Sequence, residues 1–455
     1  MIEPIRLLAA TGMLGSGFRA ESIDRAMAAG IDLVGCDAGT CDGGPSYLAT
    51  GAAAFSAAAV GRDLELMLTR AVPAGVPVVI GSAGMSGCDA GVDWVCGLAD
   101  DIARRHGLRF RLARIRSEID ADRVVEHLRR GRCTPLAPAE PLTEADVRSS
   151  TRIVAVMGVE PIQQALAQGA QVVVAGRCTD AAIFASLPLM RGHDPAAAWH
   201  LAKILECGAA AVEHRAAPDC MMGTLDGDGF VVEPLRDDYR CTPQSVASHA
   251  LYETADPHVL IEPSGTLLLQ GARYEAVSGR AVRVRGSRFE PARRYTNKIE
   301  GARLAGYSTV VFGGVRDPFI LAELDTWLAG IERQVSERAS QTAAGQRFEI
   351  VTRVYGRDAV MAEREPTPRV EGHEVGILWD VIAQSQALAR SIATSLTHLA
   401  LHYPIDRWSG LITGLALPFS PAHVDRGAVH EFHLNHVIEP SDPCALFRTE
   451  LQDVA

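Results

Sequence analysis

Four short segments of this 455-residue chain concentrate glycine, serine, threonine and aspartate. These residue types bind anions through backbone amides and move protons through carboxyls. The segments are Thr11-Gly12-Met13-Leu14-Gly15-Ser16-Gly17-Phe18, Cys36-Asp37-Ala38-Gly39-Thr40-Cys41-Asp42-Gly43-Gly44-Pro45, Gly81-Ser82-Ala83-Gly84-Met85-Ser86-Gly87-Cys88-Asp89 and Gly176-Arg177-Cys178-Thr179-Asp180. Glycine lets backbone N–H groups turn towards a ligand, and a helix opening behind such a turn favours negative charge. A carboxylate or phosphate is the natural guest, with Gly12, Gly15, Gly39, Thr40, Ser82, Gly84 and Asp180 as binding candidates. One Gly-rich turn alone is ordinary connecting structure. Four, each following an apolar run, ask for more.

Arg177 is the strongest single candidate, because a guanidinium set directly after an apolar run can form paired hydrogen bonds to a carboxylate. The competing role is an ion pair with Asp180 or another acid. Asp37 has three readings open: taking a proton, holding a divalent metal through oxygen, or capping its turn. For Asp42 the capping role is expected. Glu206 and Cys207 follow the apolar run Trp199–Leu205. An acid at a helix C-terminus meets the negative end of the dipole, which raises its pKa and suits a general acid or base. The alternative for Glu206 is an ion pair with a nearby Arg or Lys. Cys207 reads as a small buried residue, since no base partner can be assigned to it. Thr242-Pro243 reads as an N-cap followed by proline in the first turn, and Arg240 beside it is a further anion-binding candidate.

Metal and redox signatures are weak. The first segment runs G-x-x-G-x-G rather than G-x-G-x-x-G, so no nicotinamide or flavin is expected, although Asp37 stands near the position of a ribose-binding acid. A divalent metal ion remains open. His398 and His402 are four apart on an expected helix but lack the glutamate of H-E-x-x-H. His430 and His436 share parity on an expected strand while His433 does not, so packing roles are favoured. His373-Glu374 is a minor acid–base candidate. The ten cysteines include no C-x-x-C pair, which argues against structural zinc and fits buried hydrophobes in a reducing compartment.

The elements that would carry these segments alternate. Strands are predicted at Ile5–Ala9, Ile31–Gly35, Val76–Ile80, Phe110–Ile115, Ile153–Val156 and Val172–Ala175. Helices are predicted at Glu21–Ala29, Gly61–Ala74, Gly91–His106, Ala121–Arg130, Pro161–Gln168 and Asp180–Met190. Nearly continuous apolar strands between helices indicate an α/β, Rossmann-like unit with a mainly parallel sheet and flanking helices. Its ligand crevice then lies outside the carboxyl ends of the strands, where the four segments fall.

The pattern changes near 218–233. Beyond it come strand-like pieces at Thr266–Gln270, Tyr274–Ala276, Ala281–Arg285, Ser308–Phe312, Phe348–Val354 and Glu374–Ile382. Val277-Ser278-Gly279-Arg280 reads as a hairpin turn, and helices are expected at Pro318–Arg338 and Ser385–His402. The expected organisation is an α/β domain at 1–222 and an α+β domain at 223–455, with Glu363–Gly372 an exposed loop or lid.

Composition limits the partners. A hydrophobic share of 47% against 22% charged residues describes a globular chain. The net charge of −11 repels phosphate backbones, so nucleic acid is not an expected partner. No run reaches the roughly 18 apolar residues of a membrane span, and the N-terminus carries no signal-peptide pattern, so a cytoplasmic protein and no membrane partner are expected. A homo-oligomer is expected.

The run Val172 to Asp180 resembles the G-R-x-[AST]-D segment of the acyclic terpene utilisation (AtuA) family. Lys203-Ile204-Leu205-Glu206-Cys207-Gly208-Ala209 is similar to its L-L-E-C-G-A segment, and Cys241 to Val246 with Leu251-Tyr252-Glu253 to its stretch ending in L-Y-E. The resemblance implies catabolism of terpenoid-like compounds alongside acyl-CoA enzymes. It also implies a small companion subunit, because the chain ends soon after His436 without the family's small module. It assigns no catalytic residue. The expected function is a lyase, hydratase or isomerase acting on a small carboxylate or acyl-CoA, with Glu206, Asp37 and Arg177 as the chemical groups. The alternatives are a non-catalytic ligand-binding or scaffolding subunit, and an amide or ester hydrolase.

Overall fold

A computed structural model describes residues 2–367, 369–406 and 413–455. The chain forms two compact units, Met1–Arg303 with Phe432–Ala455, and Leu304–Glu431.

In the first unit, five strands run parallel: β1 (Ile5–Ala9), β2 (Leu33–Gly39), β3 (Val78–Met85), β4 (Phe110–Arg116) and β5 (Val172–Ala175). Their spatial order is β1-β2-β3-β5-β4, with Leu7 level with Leu33, Val34 with Val78, and Val172 with both Val78 and Leu112. Successive side chains of a strand point to opposite faces, so apolar runs need cover on both. Leu7, Val79 and Val173 enter one core with Phe184 and Leu201, from helices α4 (Asp180–Met190) and α5 (Pro195–Leu205). Leu8, Val78 and Val172 enter the other with Ile23, Leu64 and Val95. Those three come from α1 (Ala20–Ala28), α2 (Ala57–Ala71) and α3 (Asp89–His106). The α/β expectation therefore holds, and helices cover both faces.

Two features depart from the sequence reading. The parallel strands form only the middle of a ten-stranded sheet. Met221–Asp226 adds antiparallel to β1 and is followed by Gly229–Pro234, Val282–Arg285 and Arg273–Ala276, while Arg448–Val454 adds antiparallel to β4. Short hairpin links such as 277–281 permit antiparallel neighbours without a crossover helix. The strand expected at Ile153–Val156 as a further member of the alternation forms at Arg152–Ala155, leaves this sheet and pairs antiparallel with Asn297–Val315, Ile299 facing Ala155. Residues 222 and 223, where two domains were expected to meet, lie within one strand of the large sheet.

The second unit has Val375–Ala383 between Phe348–Tyr355 and residues 307–315, all antiparallel. Helices Leu324–Ala343 and Gln386–His402 cover it around Trp327, Trp379 and Leu396. The single helix expected at Pro318–Arg338 is broken at Glu323 (φ −119°). The expected loop Glu363–Gly372 includes residue 368, which lies outside the described residues; Glu363 and Arg364 are exposed there in a short 3-10 turn. No described helix is long and apolar enough to cross a membrane.

Candidate functional site

Parallel strands deliver all their exits to one sheet edge, and in the first unit those exits interlock. The β2–β3 register shifts between Asp37 and Gly39, an irregularity of the kind that re-aims a side chain. Just beyond, Ser82 (φ 44°) and Met85 (φ 94°) hold left-handed backbone. The β3 exit abuts the β5 exit so closely that a Cβ on Gly87 (φ 65°) would lie 2.2 Å from the Arg177 nitrogen. Gly87 O accepts from Arg177 N at 3.1 Å and from Ser117 Oγ at 2.8 Å. The β1 exit meets the turn after α5 in the same manner, since a Cβ on Gly12 would lie 2.7 Å from Cys207 O.

Arg177 is the hub. Its Nε donates to Glu300 Oε2 at 3.0 Å and its Nη1 to Ser82 Oγ at 3.2 Å, with Asp180 Oδ1 3.8 Å from Nη1. Burial opposes its charge, but Glu300 and Asp180 more than offset this and hold it protonated. Glu300, despite burial, is drawn down to about 2 by Arg177 and Lys298. Of the two expectations for Arg177, the ion pair with Asp180 or another acid is the one observed. Arg177 pairs with acids, Asp180 included, while Nη2 has no hydrogen-bond partner among the described residues.

The carboxyls around it behave differently. Burial pushes Asp37 well above the ordinary carboxylate range, with Asp180 adding to the effect and Arg177 opposing it. Its Oδ2 accepts from Gly39 N at 3.3 Å, whereas Oδ1 is buried without a partner among the described residues. Burial likewise raises Asp180. Glu206 caps α5, contacts the Lys203 ammonium, and is pushed up to about 8 by burial against the pull of Lys203. Burial, more than the helix dipole, is the cause. Glu262, at the end of Val259–Glu262, is also raised by burial to about 8. Asp37, Asp180, Glu206, Glu262 and Glu300 share the cations Arg177, Lys203 and Lys298. With more acids than cations, burial and mutual repulsion favour the protonated form of those least well paired, and raise Glu206 and Glu262 to about 8. Burial and Glu206 also raise the Cys207 thiol, opposite to what a thiolate nucleophile needs.

A small crevice of about 10 Å³, room for about one water-sized group, reaches Arg177 and Glu300 of this cluster between Thr40, Tyr47, Ser86 and Phe432. Of the sequence candidates, Asp37, Ser82, Arg177, Asp180 and Glu206 are linked by hydrogen bonds, ion pairs or field effects, and Thr40 joins Arg177 at the cleft. Gly39 packs its Cα against Met85 and Ser82 carbonyls. Others serve the scaffold. The amides of Gly15 and Gly17 donate to buried Asp63 at 2.8 and 2.9 Å, so they are engaged internally. Gly84 packs on Gly91 of α3, and Arg240 forms an exposed ion pair with Glu213. Asp42 is exposed; its turn is tied by Thr40 Oγ1, which accepts from Asp42 N at 3.2 Å. Thr242 caps its helix as expected.

The histidines lie elsewhere. His433 bonds Ser150 Oγ and Gly301 O, His436 bonds Glu140 O, and the His398 and His402 rings pack 5.3 Å apart. His373 is exposed. No group of three or more His, Cys, Asp or Glu among the described residues is arranged to hold a metal ion. Sequence reasoning missed Lys203, Glu262, Glu300 and the cleft position of Ser86. Lys203, three residues before Glu206 on a helix, carried a usable signal, because such a pair shares a face.

No curated protein and no solved structure matches the chain. The sequence profile described as acyclic terpene utilisation family protein AtuA matches residues 51–406, a span holding Ser82, Ser86, Arg177, Asp180, Lys203 and Glu206. With most of its length matched, the chain belongs to the acyclic terpene utilisation family.

Proposed function

We propose that this protein is an enzyme of the lyase, hydratase or isomerase type that moves a proton on a small carboxylate or an acyl-CoA. The observation that carries this reading is the company Arg177 keeps: a largely buried guanidinium whose Nη2 has no hydrogen-bond partner among the described residues, beside carboxyls whose pKa burial raises. Arg177 would bind the substrate's carboxylate or thioester oxygen and stabilise negative charge developing there. Asp37, with its unpartnered Oδ1, would exchange a proton with the adjacent carbon or hydroxyl. Glu206, poised near 8 beside Lys203, is the second acid–base group. Elimination of water, its addition and double-bond migration all need this set and no electron transfer.

Purified protein would be incubated with unsaturated and hydroxylated short-chain acids and with their CoA thioesters. We expect turnover of at least one, lowered about a hundredfold or more in Arg177→Ala and in Asp37→Asn. Undiminished turnover in both Arg177→Ala and Glu206→Ala would refute the assignment. Binding of a panel member without turnover would favour a ligand-carrying subunit.

A further inference from the structure

Three serine hydroxyls surround the interlocked turns after β3, β4 and β5, and two are engaged. Ser82 Oγ accepts from Arg177 Nη1 at 3.2 Å. Ser117 Oγ donates to Gly87 O at 2.8 Å and accepts from Arg177 N at 2.8 Å. The third, Ser86, is only 9% exposed, and its Oγ has no hydrogen-bond partner among the described residues. It lines the cleft with Arg177, Glu300 and Thr40. A buried hydroxyl left unpaired is destabilising, so its retention asks for a compensating role.

The backbone around Ser86 sharpens the point. It sits between Met85 (φ 94°) and Gly87 (φ 65°). A non-glycine residue at such a positive φ is strained, and strain of this kind persists only where surrounding contacts over-determine it. Those contacts are present. A Cβ on Gly39 would lie 2.0 Å from Met85 O, so β2 presses directly on one side of the turn. Gly87 O is held from the other side by Ser117 and Arg177. Ser86 is therefore fixed at the cleft with its hydroxyl free, on a turn that cannot easily relax.

We propose that Ser86 is a substrate-binding residue whose hydroxyl, with Arg177 Nη2, donates to one oxygen of a carboxylate or acyl thioester carbonyl. Two donors from adjacent strand exits would converge on that oxygen, Arg177 supplying charge and Ser86 direction. This deepens the proposed function and rests on its substrate class.

The test uses the full chain, with crotonate and crotonyl-CoA as probes in titration calorimetry, alongside thermal melts. Ser86→Ala should bind the better probe about tenfold more weakly, as expected for one lost hydrogen bond. Its melting temperature should equal or exceed the wild type's, because an unpaired buried hydroxyl has gone. Ser86→Thr, which keeps the hydroxyl, should recover part of the affinity. If Ser86→Ala binds like the wild type while Arg177→Ala does not bind, Ser86 has no role in binding and the proposed function stands. A wild-type protein that binds neither probe, nor any acid or thioester of the panel, overturns both. A lower melting temperature in Ser86→Ala with unchanged affinity would make the serine purely structural.

Discussion

Arg177 Nε donates to Glu300 Oε2 at 3.0 Å, tying the turn after β5 to the strand Asn297–Val315. Both side chains are close to fully buried. Removing one partner of such a pair strands the other charge in a poor solvent. Glu300→Ala should therefore lose about 3 kcal/mol of stability in urea denaturation. Combined with Arg177→Met, the loss should fall short of the sum of the single losses, a coupling that a double-mutant cycle reads directly. Additive losses would mean the pair is not coupled.

Stability should fall towards alkaline pH. Glu206 and Glu262 titrate at about 8 in the folded chain, against an ordinary value of 4.5. A carboxyl raised on folding binds its proton more tightly in the native state. Its contribution is full below the unfolded value and disappears as pH rises through the folded one. Urea midpoints measured from pH 5 to 9 should decline, and Glu206→Gln should flatten part of the decline. An unchanged slope in that variant would show that Glu206 does not carry it.

Glycine at position 87 answers to two demands, while a glycine at another helix boundary answers to one. Gly107, the C-cap of α3, has φ 63° with nothing near its missing Cβ. Gly107→Ala should cost about 1 kcal/mol, the strain of left-handed backbone alone. Gly87→Ala adds a clash with backbone of the Arg177 turn and should cost about 3 kcal/mol or more. Equal melting temperatures for the two variants would contradict the close approach.

Asp63 is fully buried on α2 and receives the Gly15 and Gly17 amides as well as the Arg62 guanidinium. Asp63→Ala should cost about 3 kcal/mol, since hydrogen bonds to a charged acceptor are the stronger kind. Amide hydrogen exchange at Gly15 and Gly17 should accelerate before that of β1. Unchanged protection there would assign the loop's order to other contacts.

Strands buried on both faces were readable because burial forces nearly every side chain to be apolar. Ile5–Ala9 and Val172–Ala175 match to the residue. Where glycine and serine begin, the pattern stops but the hydrogen bonding does not. β2 and β3 continue to Gly39 and Met85, four and five residues past their expected ends. The site was legible in the same uneven way. Asp37, Ser82, Arg177 and Asp180 carry the signature of strand exits. Glu300 does not, because its strand pairs with Arg152–Ala155, distant in sequence, and local periodicity holds no trace of that pairing; Glu262 ends one arm of a local hairpin with Gly265–Leu268, whose pattern says nothing of the acids and cations around it. Gly15 and Gly84 looked equivalent to Gly12 and Gly39, yet their surroundings are Asp63 and Gly91. Only three-dimensional neighbours show what each of these glycines packs against or donates to.

The first unit is discontinuous along the chain: residues 304–431 separate its larger portion from Phe432–Ala455. Its outermost strand, Arg448–Val454, zips against Phe110–Arg116 across more than three hundred intervening positions. During synthesis, β4 must therefore emerge and wait with one flank unsatisfied until residues 448–454 have left the ribosome. The entropy of closing so long a loop grows only logarithmically, but pairings this remote are slow to form. A nascent chain stalled before residue 448 would present an open, aggregation-prone border, and the sheet is completed only once that distant segment arrives.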